Sequence, residues 1–182
     1  MTNMACMTTK PETSTVTYED LCDAVCHGIG PDAINTFMQW DYCEYDGDYF
    51  GFLNTYGALK APNTYTIIDI GCYLAAQAWL FRNNTAYIGI DIGVPMRYRL
   101  AQNNARHFDM TGQTFINDVL PDMISNGEID LKHTIAICSA VPNDELQQQV
   151  IKAFPYHVVT YPCDIIDVAL PSDAEFTPID LD

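Results

Sequence analysis

Three aspartates at the ends of apolar runs are the residues of this chain best placed to do chemistry. The first run, Tyr65-Thr-Ile-Ile-Asp-Ile-Gly-Cys72, closes on Asp69 and turns through Gly71 into a stretch of small and apolar residues. A turn of this kind, joining a strand to a helix at the carboxyl edge of a parallel sheet, points backbone N–H groups into a crevice. A residue without a Cβ then lets a ligand come close to the chain. The second run, Tyr87-Ile-Gly-Ile-Asp91, ends 22 residues after Asp69 (91 − 69), the spacing of one strand-helix-strand unit. A carboxylate on a rigid strand end has two acceptor oxygens that suit the vicinal diol of a ribose. The third acid, Asp118 in Phe115-Ile-Asn-Asp-Val119, is expected after a third strand, where it can accept from an adenine amino group.

Those side chains need a sheet to hold them, and the pattern of the chain predicts one. Short apolar runs bounded by turn residues give candidate strands at Tyr65 to Asp69, Ala86 to Asp91, Thr114 to Asn117, Thr134 to Ser139 and His157 to Tyr161. Helical segments are expected between them at Leu74 to Phe81, Pro95 to His107, Leu120 to Ser125 and Asn143 to Phe154. Right-handed crossovers would make the sheet parallel. Upstream, Thr17-Tyr-Glu-Asp20 has the form of a capping box, and Ile34, Phe37 and Met38 share a helical face, as do Tyr49, Phe52, Leu53 and Tyr56. The expected layout is a flexible arm over 1–16 and one α/β domain over 17–182. That domain divides into a helical cap (17–60), a nucleotide-binding core (64–161) and an acidic tail (162–182), with one further strand at Ile165 to Leu170.

These residues resemble the class I S-adenosylmethionine-dependent methyltransferases over roughly Tyr65 to Tyr161. The first loop of that family reads acid-x-Gly-x-Gly-x-Gly; here it reads Asp69-Ile-Gly71-Cys72-Tyr73-Leu-Ala75, with the acid and first glycine in place and Tyr73 and Ala75 where the other glycines stand. The resemblance implies a Rossmann-like parallel sheet flanked by helices, with an abbreviated C-terminus and the N-terminal helical cap. It implies S-adenosylmethionine as cofactor, held by Asp69, Gly71, Cys72 and Tyr73 around its methionine part and by Asp91 and Ile92 at the ribose. Asp118 and Val119 would meet the adenine. Ser139, opening the Ser139 to Pro142 segment, would lie where such enzymes face the methyl acceptor, a small molecule or an unidentified acceptor, and the lack of an Asn/Asp-Pro-Pro-Tyr signature there weakens a nucleic-acid substrate. The resemblance names no catalytic base. A non-catalytic binding protein on the same sheet is the alternative, with an acidic surface for a protein partner. An NAD-dependent oxidoreductase fits less well, since G-x-G-x-x-G would need glycine at Tyr73.

Composition narrows the remaining classes. The chain has 182 residues, 48% of them hydrophobic, enough for one sizeable core. It carries 8 Lys and Arg against 24 Asp and Glu, a formal charge of −16. Nine acids and no Lys or Arg lie between Lys10 and Lys60, and no Lys or Arg follows Lys152, which disfavours nucleic acid as a partner. Arg82, Arg97, Arg99 and Arg106 make the middle relatively basic, with a solvated helix face as the expectation. Seven cysteines without C-x-x-C pairs are expected to be reduced, and Met1 to Val16 lacks the form of an export signal, so a cytoplasmic protein with no membrane span is expected. Cys22, Cys26 and His27 share a helical face but lack a fourth ligand at a fitting spacing, so no metal site is assigned. Tyr42, Tyr45, Tyr49, Phe50 and Phe52 can lie over the crevice as a lid or pack on the sheet.

Overall fold

The structure, a computed structural model, describes residues 59–73, 75–79, 81–93, 103–139, 141–161 and 164–177. The expected arm, helical cap, aromatic lid and Cys22/Cys26/His27 cluster lie outside these residues, except Leu59 and Lys60 at the end of the cap. Those two form a strand, β1 (Leu59–Lys60).

Six strands make the central sheet: β2 (Thr66–Ile70), β3 (Ala86–Asp91), β4 (Ala105–Asp109), β5 (Thr134–Ser139), β6 (His157–Thr160) and β7 (Ile165–Ala169). Their order is β4-β3-β2-β5-β6-β7. The first five are mutually parallel, while β7 runs antiparallel to β6. The sheet is therefore mixed, not wholly parallel as expected. A separate two-stranded ladder pairs β1 with β8 (Glu175–Phe176), so the expected acidic tail contains both β7 and β8.

Burial explains why four of the expected strands were visible in the sequence. Every residue of β2, β5 and β6 is buried, as are the four central residues of β3, and strands covered on both faces read as unbroken apolar runs. Ile68, Ile70, Ile88, Ile90, Ala136, Cys138 and Val159 build the core on one face. The third strand differs. It is not Thr114 to Asn117 but β4, whose Ala105-Arg-His-Phe-Asp109 is only partly buried and sits at the sheet edge. The predicted helix Pro95 to His107 is corrected accordingly over its described end, where residues 103 and 104 turn and Ala105 begins the strand. Arg106, expected on a helix face, projects from this strand with its guanidinium 4.7 Å from the Phe108 ring centre and 2.9 Å from Glu128. Arg97 and Arg99 lie outside the described residues.

Thr114 to Asn117 instead belongs to a helix, α1, built from an α turn (Gly112–Thr114), a π turn (Phe115–Val119) and an α segment (Leu120–Ser125). Thr111 caps it by accepting from the Thr114 N–H at 3.1 Å. Within the π turn the Leu120 N–H reaches back to the Phe115 carbonyl, which inserts one residue into the helix. Phe115, Ile116, Leu120 and Met123 on this helix all face the core. At the start of the helix a Cβ on Gly112 would come within 2.6 Å of Ile70 Cγ2 and 2.9 Å of Leu146 Cδ1, so only glycine lets α1 approach β2 this closely. The second helix, α2 (Asp144–Ala153), is capped by Asn143, whose side chain accepts from the Leu146 N–H. Leu146 and Val150 on α2 and Phe154 just after it join the same core cluster. The segment after β2, expected as a helix, is one 3-10 turn (Ala76–Trp79).

Candidate functional site

Strand order locates the site. Going from β2 the chain moves outward to β3 and β4, then returns to the other side of β2 as β5 and β6. The crossovers from β2 and from β5 thus leave in opposite directions, and the crevice between their carboxyl ends is where open α/β sheets bind ligands. Described residues of four loops line this edge: Gly71 to Tyr73 after β2, Asp91 to Gly93 after β3, Asp109 to Thr111 after β4, and Ser139, Val141 and Pro142 at and after the end of β5.

The loop after β2 has an unusual backbone. Gly71, Tyr73 and Ala75 have φ of 83°, 49° and 55°, all in the left-handed region. Glycine adopts it without cost, whereas for tyrosine and alanine it is disfavoured by roughly 1–2 kcal/mol each. Protein contacts hold the loop there. The N–H groups of Gly71 and Cys72 donate to the Ile90 carbonyl at 2.8 and 3.2 Å, that of Tyr73 to Asp91 Oδ2 at 3.0 Å, and that of Ala75 to the Cys72 carbonyl at 2.7 Å. At Gly71 an added Cβ would lie 2.5 Å from Val141 Cγ2, so this is where the loops after β2 and β5 touch. Val141 is fixed in turn by α2, since Gln147 Nε2 donates to its carbonyl at 2.8 Å.

Asp69 supports this loop from below. Its carboxyl group is fully buried and accepts from Gln77 Nε2 and the Tyr87 hydroxyl. Gln77 also donates to the Cys72 carbonyl at 3.1 Å, which ties the loop to the acid beneath it. The register places Asp69 beside Gly89, where a Cβ would come within 3.2 Å of the Tyr87 ring; the missing side chain leaves room for the phenol. In this position Asp69 organises the loop from the interior rather than facing the crevice. Cys72 is buried as well.

Asp91 is half-buried at the tip of β3 and accepts from the Tyr73 and Gly93 N–H groups, one on each oxygen. Ile92 beside it is 66% exposed, an apolar surface on the crevice rim. Asp118 and Val119 do not join this group as residues of a strand end. They lie in the π turn of α1, with Asp118 exposed, because the run expected to be a strand is helical. The acid at the end of the third strand is Asp109, exposed and paired in register with Asp91. The sequence carries a signal for it: Asp69, Asp91 and Asp109 are spaced by 22 and 18 residues, one strand-to-strand interval each. Ser139 ends β5, buried, with its hydroxyl 3.0 Å from that of Thr160.

Neither described cysteine can serve as a nucleophile. Cys72 and Cys138 are free thiols in the interior, and burial, with a contribution from the negative charge of Asp69, pushes the Cys138 thiol from 9.0 up to about 12. Because the raised value favours the neutral form, the thiol stabilises the fold fully below pH 9 and that contribution is lost as pH rises from 9 toward 12. At pH 9 iodoacetamide is expected to alkylate Cys138 about five-hundredfold more slowly in the native chain than in urea, the ratio of thiolate fractions for that shift. Mass spectrometry of its peptide checks this, and equal rates would contradict the burial. Among the described residues, no group of three or more His, Cys, Asp or Glu side chains is arranged to hold a metal, and no helix is long and apolar enough to cross a membrane.

Comparison with known proteins adds a structural likeness. No protein-family model matches the chain, and no curated protein matches it. A solved structure that is similar is that of CalO1, a methyltransferase in calicheamicin biosynthesis, in its SAH-bound form. The identity is 13% and the TM-score 0.39, and the likeness covers 78% of this chain and 49% of CalO1, about half of that protein's length.

Proposed function

We propose that the chain is an S-adenosylmethionine-dependent methyltransferase acting on a small molecule. The observation that carries this reading is the loop at Gly71, Tyr73 and Ala75. Their φ values of 83°, 49° and 55° fall at the three positions where the family that the sequence resembles has glycines. The backbone path of a glycine-rich loop is kept although two of its glycines are not.

The same loop argues against a dinucleotide. Pyrophosphate recognition needs free N–H groups at a turn that opens a helix. Here the N–H groups of Gly71, Cys72, Tyr73 and Ala75 all donate within the protein, and the next element is a single 3-10 turn. A ligand with no phosphate loses nothing at such a site. The antiparallel β7 points the same way, since the doubly wound dinucleotide sheet is built from two halves of parallel strands.

In this reading Asp91, half-buried at the tip of β3, holds the ribose hydroxyls, because a carboxylate on a rigid strand end offers two acceptor oxygens to a vicinal diol. Asp109 replaces Asp118 as the acceptor for the adenine amino group, and the exposed face of Ile92 lies against the base. The loop from Gly71 to Tyr73 meets the methionine part. When bound, the cofactor supplies a methyl group on a positively charged sulfur, and transfer of that group needs alignment and exclusion of water more than acid-base help. Two carboxylates on neighbouring strand ends favour such a cation. The methyl acceptor would enter beside Val141 and Tyr161, the latter 40% exposed after β6.

Titration calorimetry of the whole chain is expected to show saturable heat with S-adenosylhomocysteine and none with NAD at the same millimolar concentration. Heat from NAD alone would replace the methyltransferase by an oxidoreductase. Silence with both would leave a binding protein that keeps only the sheet.

A further inference from the structure

The face least explained by a methyltransferase is the outer edge of the sheet at β7. Among the described residues β7 pairs on one side only, with β6, so alternate N–H and C=O groups of Ile165 to Ala169 point away from the sheet. Such strands are usually blunted by Lys, Pro or extreme shortness. This one reads Ile165-Ile-Asp-Val-Ala169, slips its register with β6 at Ile166, and leaves Ile165 and Ile166 48% and 45% exposed, close to Tyr161 at 40%. It is an adhesive edge in all but charge.

The charge is one-sided. Asp164 and Asp167 lie just before and on the strand, and no Lys or Arg follows Lys152 in the chain. His157 Nε2 lies 3.4 Å from Asp167 Oδ2, and Lys60 stands across from Glu175 in the β1–β8 ladder, but nothing described faces Asp164 in this way. A second copy is a poor occupant. Antiparallel pairing of two β7 strands would bring carboxylates together on chains that each carry a formal charge of −16, and like charges across strands are destabilising.

We propose that β7 is a docking strip for an extended segment of another protein in which apolar residues alternate with Lys or Arg. The segment adds as a seventh strand. Its backbone groups satisfy the open edge, its apolar side chains cover Ile165 and Ile166, and its cations meet Asp164 and Asp167. This assignment is independent of what binds at the carboxyl edge of the sheet.

The test uses the whole chain and the fluorescent hexapeptide Lys-Val-Lys-Ile-Lys-Val, with two controls: the same peptide with Glu in place of Lys, and the Lys peptide N-methylated at alternate residues. Anisotropy is expected to show the Lys peptide binding about tenfold or more tighter than either control, as strand addition requires both backbone hydrogen bonds and complementary charge. Amide exchange of residues 165–169 is expected to slow only with the Lys peptide. Asp164→Lys, an exposed site, is expected to weaken binding several-fold. Equal affinity for the Glu peptide, or for the N-methylated one, overturns the proposal without depending on any variant's folding. So does sedimentation showing that the chain alone dimerises and that the dimer excludes the peptide.

Discussion

Asp69→Ala is expected to lower the free energy of unfolding by about 4 kcal/mol, a large share of the stability of a domain this size. The carboxyl group is fully buried, and its removal strands the Gln77 amide and the Tyr87 hydroxyl where water cannot replace it. Each orphaned donor costs about 1–3 kcal/mol, and the void left by the missing atoms adds to that. Urea unfolding followed by circular dichroism measures the loss. Asp69→Asn keeps one acceptor oxygen and is expected to lose about half as much. The damage should spread to the loop, because Gln77 also holds the Cys72 carbonyl at 3.1 Å. A loss below about 1 kcal/mol for the alanine variant would show that this buried network is not what supports the loop.

Asp91→Ala is expected to behave in the opposite way, with a small effect on folding and a large one on binding. Asp91 is half-buried, and the Tyr73 and Gly93 N–H groups it releases lie near the surface, where water can take them up. The stability loss is expected to be about 1 kcal/mol. For S-adenosylhomocysteine the variant forfeits two charge-assisted hydrogen bonds to the ribose, worth about 2–4 kcal/mol together, so affinity should fall by roughly 30-fold to 1,000-fold. Calorimetry on the parent and variant measures the ratio, and a thermal melt of each shows that folding is retained. An unchanged affinity would remove Asp91 from the ribose and, with it, the role assigned to the end of β3. The two variants are thus expected to separate: one should lose the loop's support, the other the ligand's.

What the amino-acid sequence settled by itself was the part of the protein that is buried on both sides. The runs ending at Asp69, Asp91, Ser139 and Thr160 are strands because continuous Ile and Val segments of that length have nowhere to go but the middle of a sheet. Gly71 and the Asp69 to Asp91 interval marked the carboxyl edge of the sheet, since a turn without a Cβ and a carboxylate at one strand-to-strand spacing are local properties of the chain. Tertiary structure decided what depends on neighbours. Ala105 to Asp109 is a strand only because it completes the sheet at an edge, where half its residues meet water and no apolar run is needed. Thr114 to Asn117, rich in β-branched and aromatic residues, is helical because Phe115 and Ile116 pack into the core as part of α1, and that moved Asp118 off the strand end and left Asp109 in its place. The direction of β7 came from pairing with β6, which no local pattern encodes. Most telling is the loop itself: Tyr73 and Ala75 would not choose a positive φ on their own, and they hold it because Asp91, the Cys72 carbonyl and the buried Asp69–Gln77 pair give back more in hydrogen bonds than the left-handed backbone costs.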